Sequence, residues 1–162
     1  MVDFSQLFHT GFVVPDVCAA MDEIGQQLGV TWAEVTEIDM TLATESGVIE
    51  PRMVFTYSRE GPVHIELLQA VAGTPWTVAT ATPPIGRQAA HHVGLFSDDV
   101  AGESARLAAS GAPRVVTYAS SSEEARGFAY HRLACGLLVE IVDRARKPDF
   151  ERWFAGGAFV PA

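Results

Sequence analysis

"FHTGFVVPDV" (residues 8–17) and "HHVGLFSDDV" (residues 91–100) write nearly the same pattern twice in one chain. Each has histidine second, glycine two residues later, and an acid just before a closing valine. Apolar residues lead into an acid-marked turn, and helical texture follows. In "AAMDEIGQQLGV", Met21, Ile24 and Leu28 recur at helical spacing and Gly29 closes the run as a C-terminal cap. In "AGESARLAASGAP", Ala105, Leu107 and Ala108 are apolar and Gly111 marks the stop. Both decamers predict strand, turn, helix.

The repetition continues beyond the helices, where "VFTYSREGPVHIELLQA" is answered by "GFAYHRLACGLLVEIVDRA". Each is an aromatic-rich strand, a glycine-containing connection, and an apolar strand carrying one glutamate. Aligning Glu66 with Glu140 brings Tyr57 within one residue of register with Tyr130. A duplicated unit of strand, helix and about three strands is the dominant signal. The expected organisation is one domain over 1–162, with a first module at 6–72, a connecting arm at 73–89, a second module at 90–145 and a tail at 146–162. The arm carries Trp76 and Ile85 among Thr, Pro, Gly and Ala. The tail carries Phe150, Trp153, Phe154 and Phe159, and predicts a short helix that packs on the sheet or on a dimer partner.

Composition narrows the classes of function. Hydrophobic residues at 48% and charged residues at 19% over 162 positions are the balance of one globular domain. Eleven basic against twenty acidic residues give a net charge of −9, with no Lys/Arg cluster to track phosphates, so neither nucleic acid nor a membrane surface is an expected partner. "MVDFSQLFHTGFVV" lacks a basic, long-apolar leader, and no stretch approaches the roughly 18 apolar residues of a membrane span. A cytoplasmic location is expected. Two cysteines, Cys18 and Cys135, are too few for a disulfide framework and are expected to be packed thiols.

Side chains alternate along a strand, so His9 shares a face with Gly11 and Val13, and Glu66 shares one with His64 and Leu68. His92 likewise goes with Gly94, and Glu140 with Leu138 and Val142. A carboxylate inside an apolar strand is costly unless paired, protonated or bound to a cation. Here the same exception occurs at matching places in both halves, each with a histidine on its first strand. If the modules pack with pseudo-twofold symmetry, His9, Glu66, His92 and Glu140 converge as two imidazoles and two carboxylates, a donor set for divalent zinc, nickel, cobalt, manganese or iron.

With these residues in place the chain resembles the vicinal oxygen chelate superfamily, which includes glyoxalase I, methylmalonyl-CoA epimerase, extradiol dioxygenases and bleomycin-type resistance proteins. The likeness runs from "LFHTGFVV" to "GLLVEIVD" and is nearest the epimerase branch, through "HIELLQ", "HHVGLFSDDV" and "FAYHRLACGLLVEIVD". It implies an α+β fold of two tandem βαβββ modules, a curved mixed sheet around a metal cleft, with His9, Glu66, His92 and Glu140 as ligands. His91 is then expected to point to the opposite face.

Two departures from the epimerases stand out. Arg132 and Leu133 follow His131 where proline and lysine are usual, and Glu66 stands where glutamine is common, as in glyoxalase I.

The implied activity is metal-dependent isomerase, epimerase or lyase chemistry on a small substrate with vicinal oxygens, an acyl thioester among the candidates. Such an enzyme removes a proton beside a carbonyl. Glu66 or Glu140 can serve as the base, and the segment "ATESGVIEPRM" adds Glu45 and Glu50 as candidates. Arg52, Arg87 and Arg132 are candidates for a basic pocket, His64 and His131 for proton relay, and Tyr57 and Tyr130 for cavity wall. The resemblance also implies a homodimer. A metal-free protein that binds a drug or natural product is the alternative; an iron-dependent extradiol dioxygenase is disfavoured, because a fourth protein ligand occupies a position that substrate and oxygen need.

Overall fold

A computed structural model describes residues 2–77 and 90–161. The first half runs β1 (Leu7–Val14), α1 (Val17–Leu28), β2 (Thr36–Asp39), β3 (Leu42–Thr44), β4 (Gly47–Ile49), β5 (Arg52–Tyr57) and β6 (His64–Gln69). The second runs β7 (His92–Ser97), α2 (Val100–Ala109), β8 (Arg114–Tyr118), β9 (Phe128–Arg132) and β10 (Leu138–Asp143), then α3 (Lys147–Phe154). Asp16 caps α1 through the Ala19 amide and Asp99 caps α2 through that of Gly102, so the acid of each decamer is a helix start. Gly29 ends α1 with φ of 71°, a left-handed conformation that glycine adopts without strain.

The strands form one mixed sheet in the order β2-β5-β6-β1-β7-β10-β9-β8-β3-β4. Within each half the first and last strands lie parallel, β1 beside β6 and β7 beside β10. The halves join antiparallel through β1 and β7. β3 and β4 are extra to the five-element module: this hairpin leaves the first half and pairs with β8 of the second, Leu42 opposite Tyr118.

That hairpin forces the sheet to curl. β2 and β3 are eight strand spacings apart in the order, about 38 Å in a flat sheet at ~4.8 Å per spacing. Only Met40 and Thr41 join them, and three Cα steps of ~3.8 Å reach at most about 11 Å. The sheet therefore wraps round on itself, with an outer and an inner face. The helices cover the outer face: Val17 of α1 packs with Val14 and Leu67, and Val100 and Leu107 of α2 pack with Ala129 and Ile141. The inner face holds the larger cluster, which α3 enters through Trp153 and Phe154.

One expectation is corrected by this packing. Cys18 and Cys135 are exposed rather than packed, because Cys18 falls on the outward side of α1 and Cys135 in the turn between β9 and β10. Ile85 and Arg87 lie outside the described residues, whereas Trp76 is buried in the inner cluster. Among the described residues no helix is long and apolar enough to cross a membrane.

Candidate metal centre

The antiparallel register of β1 and β7 sets His9 opposite Gly94 and Gly11 opposite His92. Residues directly opposed in such a pair have Cβ atoms only ~4.5–5.5 Å apart, so each imidazole spreads over the bare backbone of the other strand's glycine. A Cβ on Gly11 would fall within the His92 ring, and one on Gly94 within the His9 ring. The twice-written His-x-Gly is a reciprocal cradle. The parallel neighbours then bring Glu66 beside Gly11 and Glu140 beside Gly94.

The four side chains meet. The Nε2 atoms of His9 and His92 are 2.9 Å apart. Glu66 Oε2 lies 2.9 Å from His92 Nε2 and 3.5 Å from His9 Nε2, while Glu140 Oε2 lies 3.1 Å from His9 and 3.7 Å from His92. Both histidines are fully buried, Glu66 is 4% exposed and Glu140 9%. Donor atoms of His9, Glu66 and His92 all fall within 4.8 Å of one another.

This arrangement fits a divalent cation better than it fits itself. The ion-pair partners of the two carboxylates among the described residues are the two imidazoles, with no Lys or Arg to neutralise them. Glu66 Oε2 is buried without an aligned hydrogen bond despite its short approach to His92. Burial alone would raise the Glu66 carboxyl, but His9, His92 and the Tyr57 hydroxyl outweigh it and hold the pKa below the ordinary value. Burial opposes charge on His92 as well, yet its contact with Glu66 and the charges of Glu66 and Glu140 raise its pKa above 6.5. The cluster attracts positive charge to its centre, and a metal ion there would take the place of the Nε2 proton.

A further ring of side chains aims these donors. His91 precedes β7 and, contrary to expectation, lies against His92: their Nδ1 atoms are 3.0 Å apart. Its Nε2–H donates to the Pro75 carbonyl at 3.1 Å. With Nε2 protonated and burial favouring the neutral ring, His91 Nδ1 is an acceptor for the His92 Nδ1–H. That leaves the Nε2 lone pair of His92 for the centre. The first half has Phe8 at this position. A β-bulge between Leu7 and His9 turns Phe8 inward, where it stacks on Phe96 at 3.8 Å, and His9 Nδ1 is left buried without a partner.

Tyr57 and Tyr130, expected as wall residues, are cross-strand partners of Glu66 and Glu140. Burial first, then the nearby carboxylates, push both phenols well above 10, so each stays a neutral donor beside a carboxylate. The tyrosines that fall within one residue of register when Glu66 is aligned with Glu140 were the sequence signal.

The other candidates lie apart. His64 shares the inner face, with Nδ1–H donating to the Ser58 carbonyl at 2.7 Å and the ring packed on Phe154. His131 faces outward beneath α2, donating from Nδ1 to the Ala112 carbonyl and accepting from the Ser104 hydroxyl, which is a structural role. Glu45 is exposed in the turn between β3 and β4, paired with Arg132 at 2.6 Å, and Glu50 is exposed after β4. Arg52 is paired with Glu37 and Asp39, so the two described arginines of the candidate basic pocket are each held by carboxylates.

Glu66, Glu140, Tyr57 and Tyr130 form one wall of a cavity of about 110 Å³ between the inner sheet face and the C-terminal segment. Its other walls are mostly apolar and aromatic, with Met53, Phe55, Trp76, Phe128, Phe150 and Phe159 among them, and include the Arg146 side chain. The cavity gives the two glutamates access to a small molecule.

A family model described as the Glyoxalase/Bleomycin resistance protein/Dioxygenase superfamily matches residues 8–130. No curated protein matches the sequence. Among solved structures, a variant of the Streptomyces coelicolor methylmalonyl-CoA epimerase in complex with 2-nitronate-propionyl-CoA is 15% identical, with TM-score 0.58 over 86% of this chain and 97% of its own. Methylmalonyl-CoA epimerase from Mycobacterium tuberculosis is 17% identical, with TM-score 0.55 over 91% and 95%. A methylmalonyl-CoA epimerase in complex with methylmalonyl-CoA and NH4+ is 14% identical, with TM-score 0.57 over 86% and 94%. At these identities the likeness is one of fold.

Proposed function

The chain belongs to the glyoxalase/bleomycin resistance protein/dioxygenase superfamily, and from that premise we propose that it is a metal-dependent isomerase, epimerase or lyase acting at a carbon beside a carbonyl. The observation that carries the reading is the buried convergence of His9, Glu66, His92 and Glu140 at the wall of a cavity. A divalent ion held by these four would supply Lewis-acid stabilisation of charge building on the substrate's vicinal oxygens.

The protein's own part is proton transfer. Glu66 belongs to the tightest donor triad, with His9 and His92, whereas the Glu140 side chain is more exposed at 12% against 5%. We assign the base to Glu140: its carboxylate takes the proton from the carbon, and the electron pair left behind delocalises onto the carbonyl oxygen. Return of that proton from Glu140 to the adjacent carbon isomerises the substrate, whereas epimerisation takes a proton on the opposite face of the enolate from solvent water and releases the Glu140 proton to solvent. Tyr130, neutral and beside Glu140, holds the carboxylate in place before it takes the proton. Glu45 and Glu50 stand outside the cavity, which is why the reading does not use them. The thioester ligands of the structural neighbours make acyl thioesters the first substrates to try, with hemithioacetals beside them.

A metal-free binding protein would account for the aromatic cavity but would leave two buried carboxylates with imidazoles alone for counter-charge. The test is elemental mass spectrometry of protein purified without chelator, beside His92→Ala, followed by solvent deuterium exchange into 2-substituted 3-oxoacyl thioesters and hemithioacetals. Near-stoichiometric metal that disappears in the variant, with exchange that follows it, supports the proposal. Protein that stays empty after reconstitution with zinc, nickel, cobalt, manganese and iron would overturn it.

A further inference from the structure

We propose that Arg146 is an anion-recognising pole of the same cavity, and that the substrate carries a carboxylate separated from its reacting end by an apolar body. The inference rests on the reading of this cavity as the substrate site, and it deepens that reading by naming a substrate class.

Among the described residues lining the cavity, Arg146 is the one Lys or Arg. It follows β10, six positions beyond Glu140. Three strand residues at ~3.3 Å each put the end of β10 about 10 Å from Glu140, and Arg146 follows three residues further on, in the turn that leads into α3. The lining between them is apolar, and the guanidinium lies 5.9 Å from the Phe150 ring and 6.0 Å from that of Phe159.

Arg146 is under-used by the protein. Its Nε is buried without a hydrogen-bond partner, and its Nη2 donates to the Val160 carbonyl. Asp149 approaches Nε only to 3.5 Å and is shared with Arg152, which bonds it at 2.8 Å. A planar donor fork with spare N–H groups, set in apolar walls, matches a carboxylate.

A second donor without an aligned acceptor lines the cavity: the buried indole Nε1 of Trp76, whose ring meets that of Tyr130 edge-on. A ligand filling the apolar span would meet donors at both ends. Trp32 and Trp153 bond their indole N–H groups to the carbonyls of Met21 and Glu34, so of the three tryptophans Trp76 is the one whose N–H has no aligned acceptor and can report a ligand.

The probes are 3-phenylpropanoate and 3-phenylpropanamide, alike in shape, differing in charge, and lacking vicinal oxygens. Each is titrated into the metal-free full chain by calorimetry, with the Trp76 indole N–H followed by ¹⁵N NMR. The expected result is binding of the carboxylate about tenfold tighter than the amide, with movement of the Trp76 resonance. Arg146→Met, which keeps the apolar stem, is expected to level the two. Arg146→Lys is expected to retain part of the preference, and Arg106→Met, on the outer face away from the cavity, all of it. Equal affinity in the parent, binding of neither probe, or a carboxylate preference that survives Arg146→Met would overturn the proposal. Because no metal is present, the outcome is separate from that of the metal and exchange measurements.

Discussion

The imidazole of His9 lies across Gly94 of the facing strand, and that of His92 lies across Gly11, so each half of the molecule makes room for the other half's imidazole. Gly11→Ala and Gly94→Ala should each destabilise the protein by about 1–3 kcal/mol, because the added methyl must displace a ring held in a packed interior. Urea unfolding of both variants, with zinc uptake beside it, checks this. Full stability and full uptake in either one would mean that the rings are not held over the backbone as described.

The contact between His91 and His92 gives a second expectation. Replacing His91 by Phe keeps bulk but removes the acceptor for His92 Nδ1–H, and should weaken zinc binding by about 10–100-fold. Calorimetric titration measures it directly. Unchanged affinity would show that His92 is oriented by its strand alone.

Glu66 and Glu140 should separate under amide replacement. Glu66→Gln removes a carboxylate from the tightest donor triad and should lose metal and exchange activity together. Glu140→Gln should keep most of its metal while solvent exchange falls by about 10²–10⁴-fold, the usual contribution of a general base. The reverse pattern would move the base to Glu66.

Away from the cavity, His131 should impose a pH dependence on stability. Burial first, then Arg114 and Arg106, lower its pKa against the opposing bond to the Ala112 carbonyl. The unfolded chain, with an ordinary value near ~6.5, therefore binds more protons than the folded chain over the interval between the two values. This contribution to stability is complete above about pH 6.5 and is lost as pH falls toward the depressed folded value, with a slope of at most ~1.4 kcal/mol per pH unit for one proton. Unfolding of the parent and of His131→Gln across this range should show their difference shrinking as pH falls. Parallel curves would remove His131 from the account.

What the sequence made legible was whatever it repeated. His9 and His92, Glu66 and Glu140, and the helix-starting acids Asp16 and Asp99 each occur at matching places, and repetition distinguishes a constraint from an accident. Features that break the symmetry were not legible. His91 and Phe8 occupy equivalent positions, but whether the preceding residue turns toward its neighbour depends on a bulge in one strand and on where the other strand begins. The hairpin of β3 and β4 read as a loop because its pairing partner, β8, lies in the other half of the chain, where no local pattern announces it. Tyr57 and Tyr130 were visible as a pair, but their role follows from strand register, which sets each opposite a glutamate.

The same hairpin sets an order of events. β5 and β6 find all their neighbours within the first half of the chain, but Leu42 has no β8 to meet until Tyr118 has been synthesised and placed. During synthesis the first half must wait with one hairpin undocked, and the closure of the sheet by Met40 and Thr41 is a late event tied to contacts of long sequence separation. The pairing of Leu42 with Tyr118, which completes the curl, is thus a contact that the first half cannot make alone.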